Sequence, residues 1–263
     1  MLRPFLSATV VAGAVLTAGV PPARAQSQSS VQWPCKTSDS PAAPAYISRP
    51  ALAPFTDTVR DFRRLPSRNT AAVLAVGSAA AIGMRPADES ITRSLSGSRS
   101  LHETVRAGAF IGGTPFQLGA AVATYGIGRA LKNPCAASLG ADLIQAQLIA
   151  QALTTSMKLS VRRARPEGAG FSFPSGHATV TFATATVLQH HFGWKVGLPA
   201  YAAASYVAVS RIQMKRHYAS DIAFGAALGI VAGRTVTLGR TGWTLAPMAT
   251  PGGGGAAVTW VGK

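Results

Sequence analysis

Three short blocks hold most of the chemistry open to this chain: Lys158-Leu-Ser-Val-Arg-Arg-Ala-Arg165-Pro166, Pro174-Ser175-Gly176-His177, and Ser210-Arg211 followed by His217 and Asp221. Several cations, two histidines, one carboxylate and a glycine-containing turn are what cleavage of a phosphate ester needs. The phosphoryl group arrives anionic and spreads its charge in the transition state, so positioned cations and N–H donors supply most of the catalysis. Lys158, Arg162 and Arg165 stand at i, i+4 and i+7, a spacing that predicts one shared helical face. Pro166 then ends that helix, because the residue before a proline is pushed out of the α region. Arg165 offers a planar fork for two oxygens, and Lys158 a point charge. A solvated basic face near a helix end would have the same composition.

The second block reads as a turn feeding a helix. Phe171-Ser-Phe173 runs into Pro174, and residues 178–189 form an apolar stretch of helical length. Ser175 and Gly176 then sit at a helix N-terminus, where free backbone N–H groups bind anions, and Gly176 allows close approach. His177, one step on, can reach a leaving-group oxygen and protonate it. The same turn could simply be a helix cap. In the third block His217 and Asp221 are four apart, so on a helix one turn brings the carboxylate to the imidazole. That contact fixes the tautomer and leaves the other nitrogen free to attack phosphorus. A structural His–Asp pair is the plain alternative. Arg211, six residues before His217, belongs at the end of the preceding helix and offers another phosphate contact. Each block is weak alone; their order and spacing are not.

The pattern Lys-x6-Arg-Pro, Pro-Ser-Gly-His, Ser-Arg-x5-His-x3-Asp resembles the type-2 phosphatidic acid phosphatase superfamily, which includes bacterial acid phosphatases and vanadium haloperoxidases. The match covers every motif position from Lys158 to Asp221. The resemblance implies that His217 is the nucleophile, forming a phosphohistidine, and that Asp221 orients it. It makes His177 the general acid and then the base that activates water. It assigns Lys158, Arg165, Ser175, Gly176 and Arg211 to the phosphate, and leaves Arg162 outside the motif. It implies a mechanism with no metal and no cofactor. Only seven residues, 167–173, separate the first two blocks, fewer than is usual in the family. The resemblance therefore implies a reaction class and not a substrate.

The chain has 263 residues and a formal net charge of +16. Residues 1–25 read as a secretory signal: Arg3, an apolar run from Phe5 to Val20, and Ala23-Arg24-Ala25 before the cleavage point. Residues 26–50, rich in Ser, Pro and Ala, read as a disordered or extended leader. A helical phosphatase domain is expected over 51–240 and a tail over 241–263, where two short runs flanking Pro251 and four glycines suit a β-hairpin. The two cysteines, Cys35 and Cys135, suggest one disulfide in an exported chain, or else two thiols. The basic excess is not arranged for nucleic acid: no finger spacing, no basic strand interleaved with aromatics. An anionic membrane surface or an anionic substrate suits it better, and much of it lies in the blocks themselves.

The residues between the blocks must build the frame. Residues 52–65 form an amphipathic helix candidate, with Phe55, Val59 and Phe62 on one face. Apolar stretches follow at 70–84, 106–131, 140–157, 178–190, 196–210 and 217–233, giving an all-α six-helix bundle as the expected fold. Most are short or interrupted by polar residues against the roughly 20 apolar residues a membrane span wants. If the signal is cleaved, three crossings before Lys158 would leave the site in the cytosol. An envelope protein whose helices pack on one another is the expectation. Adjacent His190 and His191 point about 100° apart on a helix and make no chelating pair. The expected function is metal-independent hydrolysis of a phosphomonoester or diphosphate, lipid phosphates included. A vanadate-dependent haloperoxidase, or a non-catalytic anion- or lipid-binding envelope protein, is the alternative; simple binding would not need an oriented nucleophile opposite an acid.

Overall fold

Each long helix starts or stops on a residue suited to that place. The computed structural model describes residues 45–96, 107–238, 242–250 and 253–261. Helices α1 (Ala45–Ser48) and α2 (Ala53–Phe62) lead into α3 (Arg68–Met84), which Ser67 caps by accepting the Thr70 N–H at 3.1 Å. After α4 (Asp88–Ser96) and a helical turn at 107–111 comes α5 (Thr114–Ala130), with Pro115 in its first turn. Asn133 then caps α6 (Pro134–Val161), accepting the Ala136 N–H at 3.0 Å. Ser175 caps α7 (Gly176–Phe192), and Gly193, at φ 76°, separates it from α8 (Trp194–Gln213). Helix α9 (Ala219–Leu238) is followed by strands β1 (Gly242–Thr250) and β2 (Gly253–Val261), paired antiparallel with Trp243 opposite Trp260.

The all-α class holds, but the count of six does not: nine helices are found among the described residues. The six expected stretches are the long helices, α3 and α5 to α9; α2 is the amphipathic helix expected within 52–65, and the short α1 and α4 are additional. One stretch is also broken. Residues 106–131 do not form one helix, because the chain turns at Gly112-Gly113 before Pro115 opens α5. A Cβ on Gly112 would lie 2.2 Å from Val207 Cγ1, so this approach to α8 needs glycine.

Helix α6 lies at the centre, with Ile144, Ile149, Ala137, Ala141, Ala146 and Ala150 fully buried, and packs on α2, α5, α7 and α9. Helix α9 fits between α7 and α3. Three residues join α5 to α6 and one joins α7 to α8, so these pairs run antiparallel. The opposite ends of these helices hold the three blocks. Among the described residues, packing is seen from Tyr46 onward. Tyr46 is buried, Arg49 forks onto Asp57 at 2.6 and 2.9 Å, and Arg129 donates to the Tyr46 and Arg49 carbonyls. The expected signal, most of the leader and Cys35 lie outside the described residues. Cys135 is disulfide-bonded.

The outer faces of α3, α5 and α8 are apolar. Val76 and Ile82 on α3, Phe116, Val122 and Ile127 on α5, and Trp194 and Leu198 on α8 are all exposed. No charged residue occurs in 69–84, 114–128 or 196–210. Among the described residues, two stretches are long and apolar enough to cross a membrane: Arg68–Ser96, mostly exposed, and Ala219–Thr237, mostly buried within the bundle.

Candidate active site

The first block is not one helical face. Helix α6 ends at Val161, and Arg162 adopts a left-handed φ of 51°, which turns the chain before Arg165 can align with Lys158. Beyond it the chain doubles back: Ala164 bridges Phe171, and the Ser172 N–H donates to the Arg163 carbonyl at 2.7 Å. Gly168 and Gly170, at φ 89° and 77°, allow that return within the short 167–173 connection. The fold-back brings the Phe171 carbonyl to Lys158 Nζ at 2.8 Å. It then delivers Pro174-Ser175-Gly176 to the start of α7. The Ser175 N–H donates to the Asp221 carbonyl at 3.0 Å, which ties the second block to the third. The Ser175 side chain is fully buried and accepts from the Ala178 N–H, so its hydroxyl serves as the helix cap.

The third block departs from expectation in one respect. His217 and Tyr218 precede α9 and do not lie on it. The Arg211 carbonyl accepts the N–H groups of both Arg216 (3.0 Å) and His217 (3.2 Å), and Lys215 is left-handed at φ 54°. This tight turn after α8 sets His217. Asp221 is in the first turn of α9, where its Oδ2 accepts the Tyr218 N–H at 2.8 Å. His217 Nδ1 stands 3.7 Å from the same oxygen, facing it but beyond hydrogen-bond length. His177, on α7, shares its Nε2 with the Ala109 carbonyl at 3.1 Å.

Burial and charge set the protonation states. Burial lowers His177 to about 4, with Arg211 adding to the effect and the Ala109 carbonyl opposing it. His217 is lowered chiefly by burial and further by Lys158 and Arg211, while Asp221 pulls the other way. Burial and Arg165 bring Lys158 down to about 8. Burial, Arg216 and Arg165 bring Arg211 to about 10. Lys158, Arg165, His177, Arg211, His217 and Asp221 therefore feel one another's charge in one cluster, the candidate pocket, which Ser175 joins through its N–H bond to the Asp221 carbonyl, with Gly176 next to it at the start of α7. Arg162 is left out of it. Arg165 Nε, Arg211 Nε and His217 Nδ1 are buried with no hydrogen-bond partner. Glu167 lies 3.6 Å from Arg165 and also pairs with Arg216. Buried, cationic donors without acceptors are suited to receive an anion.

Sequence reading passed over two residues that the structure brings to this pocket. Arg163 Nη1 donates to Asp221 Oδ1 at 2.8 Å and to Ser220 Oγ at 2.7 Å, and its Nη2 donates to Asp88 Oδ2 at 2.8 Å. Asp88, the first residue of α4, is itself buried. Nothing distinguishes Arg163 among its neighbours Arg162 and Arg165, and Asp88 is 75 residues away. Among the described residues no three His, Cys, Asp or Glu side chains are grouped to hold a metal ion.

Comparison with known proteins agrees with the motif pattern. Residues 167–244 match the model of the PAP2 superfamily, so the resemblance holds over the second and third blocks. The chain is 42% identical over 80 residues to a lipid A 1-phosphatase of Porphyromonas gingivalis, covering 29% of this chain and 18% of that protein. It is 37% identical over 99 residues to a decaprenylphosphoryl-5-phosphoribose phosphatase of Mycobacterium tuberculosis, covering 34% of this chain and 54% of the relative. The chain thus spans about half or less of the length of the curated relatives it matches. Among solved structures, a transmembrane PAP2-type phosphatidylglycerolphosphate phosphatase from Bacillus subtilis aligns at TM-score 0.48 and 21% identity. The alignment covers 71% of this chain and 93% of that one.

Proposed function

We propose that this chain is a phosphatase that removes phosphate from a lipid phosphate, without a metal or other cofactor, through a phosphohistidine on His217. The supporting observation is the pairing of two guanidinium groups, the buried Arg211 and the half-buried Arg165, whose buried Nε–H donors lack acceptors, with a buried imidazole that burial and cations keep neutral. Phosphate oxygens take those donors, and Lys158 and the amide at Gly176 complete the cradle. His217 Nδ1 faces Asp221, so the lone pair of Nε2 attacks phosphorus while the bond to the leaving oxygen breaks. His177 gives that oxygen its proton. His177 is held neutral by burial and Arg211 in the free site, and the arriving dianion opposes Arg211 and loads the acid. In the second half His177 takes a proton from water, water oxygen bonds to phosphorus, and inorganic phosphate leaves with His217 restored.

A lipid substrate is favoured by the uncharged outer faces of α3, α5 and α8, and by matched relatives named for lipid A and for a decaprenyl-linked phosphate. A phosphate-release screen in EDTA across lipid phosphates, a polyprenyl diphosphate, nucleotides and a nitrophenyl ester tests the reading. Release from at least one lipid phosphate, with competitive inhibition by vanadate, is expected. Release from none, or activity lost in EDTA and restored by Mg²⁺ or Zn²⁺, contradicts it. Residues 1–25 are proposed to direct export, with a leader from residue 26 up to α1, and the apolar faces to hold the mature protein at the membrane of the envelope. Its N-terminus should be Gln26, and detergent rather than carbonate should release it; a full-length cytosolic product would refute export.

A further inference from the structure

We infer that Arg163 and Asp88 are a positioning pair that fixes the Asp221 carboxylate against His217 and balances its charge, an inference resting on the phosphatase reading above. Arg163 has four partners: Asp221, Ser220, Asp88 and the ring of Tyr218, over which its guanidinium stacks at 4.1 Å. Asp88 in turn accepts the Ser220 N–H at 2.9 Å and the Ser220 hydroxyl. Asp221 is 0% exposed and Asp88 2%. The carboxylate of Asp221 is therefore pinned on both oxygens, Oδ1 by Arg163 and Oδ2 by the Tyr218 N–H, with Oδ2 left facing Nδ1 of His217.

Charge explains why Asp88 is needed as well as Arg163. A guanidinium bonded to Asp221 alone would cancel the negative charge that stabilises His217 as it becomes a phosphoimidazolium. Asp88 neutralises Arg163 in turn, so the three groups together present one net negative charge. His217 otherwise faces Lys158 from α6, Arg211 from α8 and His177 from α7. Asp221 is the acidic group among those facing it, and the pair keeps its charge effective. An ordinary buried ion pair would be indifferent to that balance.

Opposite substitutions should therefore act in opposite directions. ¹⁵N-histidine NMR titration of the full-length protein reads His217 without turnover, and kcat/KM against pH reads it in the reaction. Asp88→Asn removes a negative charge and should move both the titration and the acid limb to lower pH by on the order of half a unit. Arg163→Gln should move both to higher pH by a similar amount. Arg163→Lys keeps the charge but loses the fork, so it should leave the titration in place and cut kcat about tenfold. Opposite displacements in folded variants support the pair even if the wild type releases no phosphate, in which case only the phosphatase reading fails. Displacements in one direction, or none while the wild type hydrolyses substrate, overturn the pair. If Arg163→Gln does not fold, a titration moved to lower pH in Asp88→Asn and unmoved in Arg163→Lys supports the pair, and an unmoved titration in Asp88→Asn overturns it.

Discussion

Replacing Arg211 by methionine should make the protein more stable and far less active. Arg211 is only 8% exposed, its Nε has no partner, and Arg165 and Arg216 add like charge. Burial and these like charges lower it to about 10, which corresponds to a penalty of about 3 kcal/mol on the charged form in the folded state. The folded value lies below the unfolded one, so the penalty acts at every pH below about 10. Methionine keeps the apolar stem and removes the charge; the lost contact from Nη1 to Met214 Sδ, at 3.7 Å, is weak. Allowing for relaxation, a gain of about 2 kcal/mol is expected, or about 4–8 °C in Tm for a domain of this size. The same residue is assigned to the phosphoryl oxygens, where losing a charge-assisted donor costs about 3–4 kcal/mol of transition-state stabilisation, about 10²–10³ in kcat/KM. Thermal denaturation with and without millimolar vanadate, beside steady-state kinetics, checks both halves. Vanadate should raise the Tm of the wild type and not that of the variant. A variant less stable than wild type without anion would refute the reasoning, since Arg211 would then be a structural residue.

Three further outcomes follow from the same geometry. His177→Ala should slow an alkyl phosphate far more than a nitrophenyl phosphate, because proton donation matters most for a poor leaving group; equal losses would assign His177 to binding. His217 must be neutral to attack and is held below the ordinary imidazole value by burial, Lys158 and Arg211, so kcat/KM should stay level as pH falls through about 6.5 and decline only below it; a decline beginning above pH 7 would contradict this. Gly229→Ala would bring a Cβ to 2.3 Å from the Thr179 carbonyl oxygen where α9 crosses α7, and denaturation should show a loss of about 1–3 kcal/mol with the active-site residues untouched.

The candidate site was legible because its residues act through types and short spacings. A Pro-Ser-Gly-His turn before an apolar helix has few ways to fold, and Ser175 caps α7 as such a turn should. Spacing misled where local backbone departed from a helix. Lys158, Arg162 and Arg165 have helical spacing, but a left-handed Arg162 ends α6 four residues before Pro166, and no residue type there announces it. His217 and Asp221 have helical spacing too, yet the turn closed on the Arg211 carbonyl holds His217 ahead of α9. The break before α5 was written in Gly112-Gly113 and Pro115, and was masked by the apolar residues on either side. Asp88 with Arg163 could not be read at all, because their pairing depends on how α4 lies against α9, a tertiary fact with no local signal.

The central claim is a covalent phosphate on His217. The protein should be mixed with ³²P-labelled lipid phosphate, quenched in alkali within the first turnovers, and digested for peptide mapping. The account predicts label that survives alkali, is lost in acid, and maps to the peptide containing His217. In the His217→Ala variant no label should form and turnover should cease. Label persisting in that variant, or hydrolysis continuing at an undiminished rate without it, would contradict the account.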